Sequence, residues 1–76
     1  MKKIQILGIG CAKCLKLTAN AEEAAKQAGI EFEIEKVTDL KKIASYGVMM
    51  TPGLVIDGQV KSVGKLLSPE EIKKLL

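Results

Sequence analysis

The sequence predicts an α/β domain in the order β-α-β-α-β-β-α, with a four-stranded mixed sheet and helices on both faces. Three observations carry this. Cys14, Leu17, Ala21, Ala24 and Ala28 step by three and four, so they share one face of a helix. Behind that helix comes "IEFEIEKV", in which Ile30, Phe32 and Ile34 alternate strictly with Glu31, Glu33 and Glu35. Nearer the C-terminus, "LVIDGQVKSV" sets Asp57-Gly58 between two strand-like runs, which reads as a two-residue hairpin turn. A helix between the first two strands makes them parallel, through a right-handed crossover. The hairpin adds antiparallel strands, so the sheet is mixed.

The elements follow in order. "KKIQIL", residues 2 to 7, reads as a strand with Ile4 and Ile6 on one face. Gly8 and Gly10 are expected to loosen the chain into a loop. A helix then runs from about Cys11 to Ala28, with Lys13, Lys16, Asn20, Glu23 and Lys26 mostly on its polar side, and Gly29 stops it. The alternating strand at 30–37 is half-buried and near a sheet edge. Thr38 or Asp39 caps a short helix carrying Leu40, Ile43 and Ala44, which reaches about Tyr46 and ends at Gly47. "VMMTPG" is a loop, and Gly64 breaks the second hairpin strand. In "SPEEIKKLL" Ser68 caps a last helix, Pro69 fills its first turn and Glu71 completes a capping box.

Length and composition narrow the function. With 76 residues the chain suits one domain, residues 1–76, with one core. It is 47% hydrophobic and 28% charged, which is globular rather than disordered. The net charge of +3 comes from 12 lysines spread along the chain, with no Arg for bidentate phosphate or base contacts. Only Phe32 and Tyr46 could stack on bases, so no nucleic-acid partner is expected. The opening "MKKIQILGIGC" has too short an apolar run for a signal sequence, and nothing has the length of a membrane span. The expectation is a soluble, cytoplasmic protein without a membrane partner, acting as a monomer.

Cys11 and Cys14 stand one helical turn apart at the start of the first helix. Cys14 lies on the apolar stripe and should be largely buried. Cys11 lies at the helix tip, where unpaired N–H groups and the helix dipole favour negative charge, and Lys13 adds a cation. These influences lower a thiol's pKa from about 8.5 toward neutrality. A thiol with a pKa near ambient pH attacks disulfides best. Cys11 is thus the attacking thiol and Cys14 the resolving one. Two other readings of the pair stand beside this one. One is a passive disulfide or a pair of inert thiols, where cross-linking so short a loop gains about 2 kcal/mol. A soft-metal carrier for copper or zinc also starts with a glycine-ended strand, a CxxC and a helix. Such carriers have another element order, and this chain has no His to complete a ligand set.

The second informative stretch is "VMMTPGLVIDG". Thr51-Pro52 either starts a strand with an ordinary turn proline or holds a cis peptide bond. The cis form would free the Thr51 backbone to pair with an extended substrate segment and bring Pro52 close to the sulfurs. Val48, Met49 and Met50 would then line an adaptable apolar surface, or else belong to the core.

Taken together, "GCAKC" (10–14), "TDLKKIASYGVMMTPGLVIDG" (38–58) and "SVGKLLSPEEIKKLL" (62–76) resemble the small thioredoxin-like redox-active disulfide proteins of archaea and bacteria. These are glutaredoxin-sized members of the thioredoxin superfamily, and the resemblance covers nearly the whole chain. It implies a thioredoxin-like fold, a redox-active disulfide Cys11–Cys14 with no other cofactor or metal, and a cis Pro52 beside it. Gly10, Lys13, Met50, Thr51, Pro52 and Gly64 would shape the site and bind substrate. The implied activity is that of a protein disulfide oxidoreductase acting on disulfide-containing proteins, with a thioredoxin-reductase-like enzyme as electron donor. The chain departs from its better-known relatives between the cysteines. It has Ala12-Lys13 where thioredoxins have Gly-Pro and glutaredoxins Pro-Tyr, and no Trp precedes the pair. Lys13 could also meet the carboxylate of glutathione. The competing functional readings are the soft-metal carrier and a non-catalytic binding module with the same fold.

Overall fold

A computed structural model describes residues 1–9 and 12–76. Its elements are β1 (Lys2–Leu7), α1 (Ala12–Ala28), β2 (Phe32–Val37), α2 (Leu40–Ser45), β3 (Gly53–Ile56), β4 (Gln59–Val63) and α3 (Pro69–Lys73). They form one four-stranded sheet in the order β2-β1-β3-β4. β1 runs parallel to β2, from Lys2 opposite Phe32 to Leu7 opposite Val37. β3 is antiparallel to both β1 and β4. The element order and the mixed sheet are those expected from the sequence, and the architecture is a thioredoxin-like fold.

Alternation along the two central strands sorts the core into two layers. Ile4 and Ile6 of β1, with Leu54 and Ile56 of β3, pack against Leu17, Ala21, Ala24 and Ala25 of α1 and Ile72 of α3. Leu7 and Val55 point the other way, where Val37, Ile43 of α2 and Val48 cover them. Helices therefore lie on both faces. The alanines let α1 sit close to the sheet, and Asn20 Nδ2 donates to Leu67 O at 2.9 Å, which ties the approach to α3 onto α1.

Several boundaries differ from the periodicity argument, each for a local reason. The buried stripe of α1 includes Ala25, while Ala28 is exposed. Ala28 ends the helix where the chain turns away. Gly29 has φ +67°, its N–H bonds Lys26 O at 3.1 Å, and Ile30 N–H reaches Ala25 O at 3.4 Å. That is a Schellman turn, and it draws Ile30 out of β2, which begins at Phe32. α2 has only six residues. Asp39 is its cap, accepting from Lys41 N–H at 2.9 Å, and of its apolar side chains only Ile43 is buried. Leu40 and Ala44 are exposed because so short a helix presents only one apolar position to the sheet. α3 closes at Lys73, with the Ser68–Glu71 capping box formed.

The hairpin turn does more than join two strands. Asp57 (φ +50°) and Gly58 (φ +81°) make the tight turn. Asp57 then reaches across to β1: Lys3 N–H donates to its Oδ1 at 3.0 Å, Lys2 Nζ lies 3.1 Å from its Oδ2, and its own N–H bonds Lys3 O at 2.8 Å. The Lys3 N–H first, and Lys2 next, hold the Asp57 carboxyl below the usual range. β4 is an edge strand with a register shift opposite Leu54/Val55, where Lys61 is the extra residue. A bulge and a lysine on an edge both discourage pairing with another chain. Among the described residues, no helix is long and apolar enough to cross a membrane.

Candidate functional site

The site forms where the end of β1, the first turns of α1 and the loop before β3 come together. Cys14 is buried, as its place on the apolar stripe of α1 requires. Its carbonyl accepts from Thr18 Oγ1 at 2.9 Å. Gly8 follows β1 directly. It is buried, and its N–H donates to Val37 O at 3.0 Å, so it prolongs the β1–β2 ladder by one residue. Gly8 begins the loop after β1, as the sequence suggested, while keeping this one bond to β2. A Cβ placed on Gly8 would run into Cys14 Sγ, and would lie 3.3 Å from Cys14 Cβ and 3.7 Å from Thr51 Cβ. Cys14 and Thr51 thus both approach the point where a Gly8 side chain would stand. A small cavity of about 30 Å³ also borders Cys14, lined by Ile6, Leu15, Thr18, Lys36 and Thr38 besides Gly8.

The Thr51–Pro52 peptide bond is cis, with Pro52 fully buried and Thr51 exposed. Gly64, the residue after β4, braces this loop. Its N–H donates to Pro52 O at 2.8 Å, and its φ of +68° suits glycine. A Cβ on Gly64 would lie 3.1 Å from Met50 Cβ and 3.5 Å from its Cε, so Met50 lies across the glycine. Two glycines, one on each side of residues 50–52, thus make room for Cys14 and for Met50.

Of the residues singled out in the sequence, the structure brings Cys14 and Thr51 together at Gly8, and Met50 and Pro52 together at Gly64. Lys13 is exposed on the first turn of α1. Gly10 and Cys11 lie outside the described residues. Of the loop's apolar residues, Val48 belongs to the core, whereas Met49 is 91% and Met50 64% exposed. Ile9 and Leu15, neighbours in sequence of the CxxC segment, are also more than half exposed. Gly8 was the residue missed. A glycine required by close packing looks, in sequence, like a loop glycine, and its proximity to a cysteine alone does not tell the two apart. Among the described residues, no three His, Cys, Asp or Glu side chains converge as a metal-ligand group.

Comparison with known proteins bears on this geometry. Residues 2–76 match the family model described as "Thioredoxin domain". The whole chain is 49% identical to a thioredoxin of Methanothermobacter thermautotrophicus, covering 99% of that protein. It is 43% identical over its full length to a thioredoxin of Methanocaldococcus jannaschii, covering 87% of it. A probable thioredoxin of Methanothermobacter marburgensis is 33% identical over 57 residues, 71% of this chain and 67% of that one. A full-length family match joins a buried helical cysteine, a cis proline and a β-α-β-α-β-β-α chain, and the protein accordingly belongs to the thioredoxin domain family.

Proposed function

We propose that the protein is a thiol–disulfide oxidoreductase that reduces or exchanges disulfides in protein substrates through Cys11 and Cys14. One observation supports this most. Cys14, one member of the CxxC, is buried against Gly8, at the point that Thr51 of the cis Thr51–Pro52 pair also approaches. Cys11 attacks one sulfur of the substrate disulfide as thiolate; a mixed disulfide forms, the substrate S–S bond breaks and its other sulfur leaves as thiolate. Cys14 then attacks Cys11, the substrate leaves reduced, and a Cys11–Cys14 disulfide remains for a thioredoxin-reductase-like donor to reduce. No other cofactor enters this scheme. The exposed Met49 and Met50 offer a pliable apolar surface to a partner chain, and the Thr51 backbone can pair with an extended segment of it. Gly64, just after β4, supports that surface, and in this reading Gly10 and Lys13, which flank Cys11 in the CxxC segment, belong to the site. The protein works in this way as a cytoplasmic monomer, its single domain spanning residues 1–76.

The test is equilibration of the pair with glutathione or dithiothreitol. A reversible two-electron couple is expected. A potential near about −270 mV would make the protein a reductase, and a much more oxidising one would make it a disulfide donor or sensor. Cys11→Ser should abolish exchange, and Cys14→Ser should trap mixed disulfides. Absence of any reversible couple, together with stoichiometric copper(I) or zinc binding that survives competition, would replace this reading by metal carriage.

A further inference from the structure

We propose that Gly8 is a positioning residue for Cys14: the missing side chain at Gly8 fixes the rotamer, and so the line of attack, of the Cys14 sulfur. The proposal rests on the thiol–disulfide reading above and adds a determinant of its second step. Gly8 is not among the glycines with positive φ, so backbone conformation is not what selects glycine there. Space is. A single methyl at this position would overlap Cys14 Sγ and press on Cys14 Cβ at 3.3 Å. Neither backbone can step aside. Gly8 is held to Val37 O by its N–H, and Cys14 is set in the helical ladder of α1. The remaining freedom is χ1 of Cys14, which moves between staggered wells rather than by small amounts. The cavity lined by Ile6, Leu15, Thr18, Lys36 and Thr38 borders Cys14 and gives a displaced sulfur somewhere to go.

The step that depends on this rotamer is resolution. In the mixed disulfide, the Cys11 sulfur is bonded to the substrate sulfur. Cys14, having released its proton to solvent, attacks Cys11 Sγ. The Cys11–Cys14 bond forms and the Cys11–substrate bond breaks. The electron pair leaves on the substrate thiolate, which takes up a proton. In this step the Cys14 sulfur is oxidised and the departing substrate sulfur reduced by the same amount; over attack and resolution together the two cysteines lose two electrons and the substrate disulfide gains them, with no other reactant. Displacement at sulfur needs the attacking atom close and in line, and a misplacement of about 1 Å can cost ~100-fold in rate.

An aromatic disulfide such as 2,2′-dithiodipyridine separates the two steps. Attack by Cys11 releases the first thiopyridone, and resolution by Cys14 releases the second. Gly8→Ala is expected to slow the second release by roughly tenfold or more while the first changes by less than about twofold. A second release within about twofold of wild type would overturn the proposal, as would an equal slowing of both steps. Should Gly8→Ala not fold, the reduced wild-type protein decides. The Hα–Hβ couplings of Cys14 are expected to report one χ1 rotamer, and couplings averaged over several would overturn the proposal. A wild-type protein with no second release would sink the oxidoreductase reading itself. A normal wild type beside a normal Gly8→Ala would sink only the role of Gly8.

Discussion

Tyr46→Phe is expected to cost more stability than removing the residue to which Tyr46 binds. On the α2 face of the sheet, Tyr46 Oη donates to Gln5 Oε1 at 2.9 Å, and Gln5 Nε2 donates to Glu35 Oε1 at 2.9 Å. Gln5 is 8% exposed and stands on the same face of β1 as Leu7. Tyr46→Phe leaves a buried carbonyl without its donor, which costs about 1–3 kcal/mol. Tyr46 is only half-buried, so water can repair part of the loss, and about 1 kcal/mol is the expected figure. Gln5→Leu removes both hydrogen bonds, yet it strands nothing in the interior. The Tyr46 hydroxyl and the exposed Glu35 can turn to water, and Leu adds apolar volume to this layer, so the change should stay below about 0.5 kcal/mol. A 76-residue domain has only about 4–11 kcal/mol in total, so the difference is readable. Urea unfolding followed by far-UV circular dichroism suits a chain with no Trp and one Tyr. With a slope of about 1 kcal/mol per molar, Tyr46→Phe should lower the midpoint by about 1 M. A Gln5→Leu protein less stable than Tyr46→Phe would refute the reasoning, because buried-group satisfaction would then not be what the network supplies.

The remaining predictions concern the turns and the acid limb of stability. Asp57 has a folded-state pKa below its ordinary value of 3.8, chiefly through the Lys3 N–H. A depressed carboxylate stabilises the fold above that ordinary value, and the contribution disappears as pH falls through the folded pKa. Asp57→Asn keeps a residue that tolerates positive φ. It should therefore be less stable than wild type at neutral pH, with the gap closing below about pH 4, as pH-dependent unfolding would show. The Glu35 carboxyl is likewise held low, first by Gln5 and then by Lys3, so Gln5→Leu should raise its pKa in a carboxylate NMR titration. Gly64→Ala should cost about 1–2 kcal/mol from its positive φ alone. The added methyl also stands 3.1 Å from Met50 Cβ, an atom that Met50→Ala keeps, so Met50→Ala in the same protein should recover little of the loss, measured as a double-mutant cycle in urea.

Much of the scaffold was legible because its signals are local. Alternation fixes a strand by its own residues, as in 32–37, and Ser68-Pro69-Glu70-Glu71 contains every group its capping box uses. Asp57-Gly58 announces its turn because few residue pairs accept two positive φ values. Where the reading slipped, the way an element ends, or its shortness, decided which apolar positions reach the core. Ala25 rather than Ala28 is buried because the Schellman turn lifts the helix end away. Leu40 and Ala44 stay exposed because α2 offers the sheet a single apolar position.

The sequence by itself determined the order of elements, the parallel and antiparallel pairings that follow from their connections, and the two cysteines at a helix start. Period, caps and turn residues act over a few positions, so one dimension is enough to record them. Only the tertiary structure decided that Gly8 lies against Cys14, that Gly64 supports Met50 and Pro52, and that Asp57 fastens the hairpin to β1. Each of these is a close approach between residues 6 to 54 positions apart. Such an approach is set by packing three layers together, and neither the local period nor the turn chemistry records it, even where both partners fall in one short stretch, as Gly8 and Cys14 do.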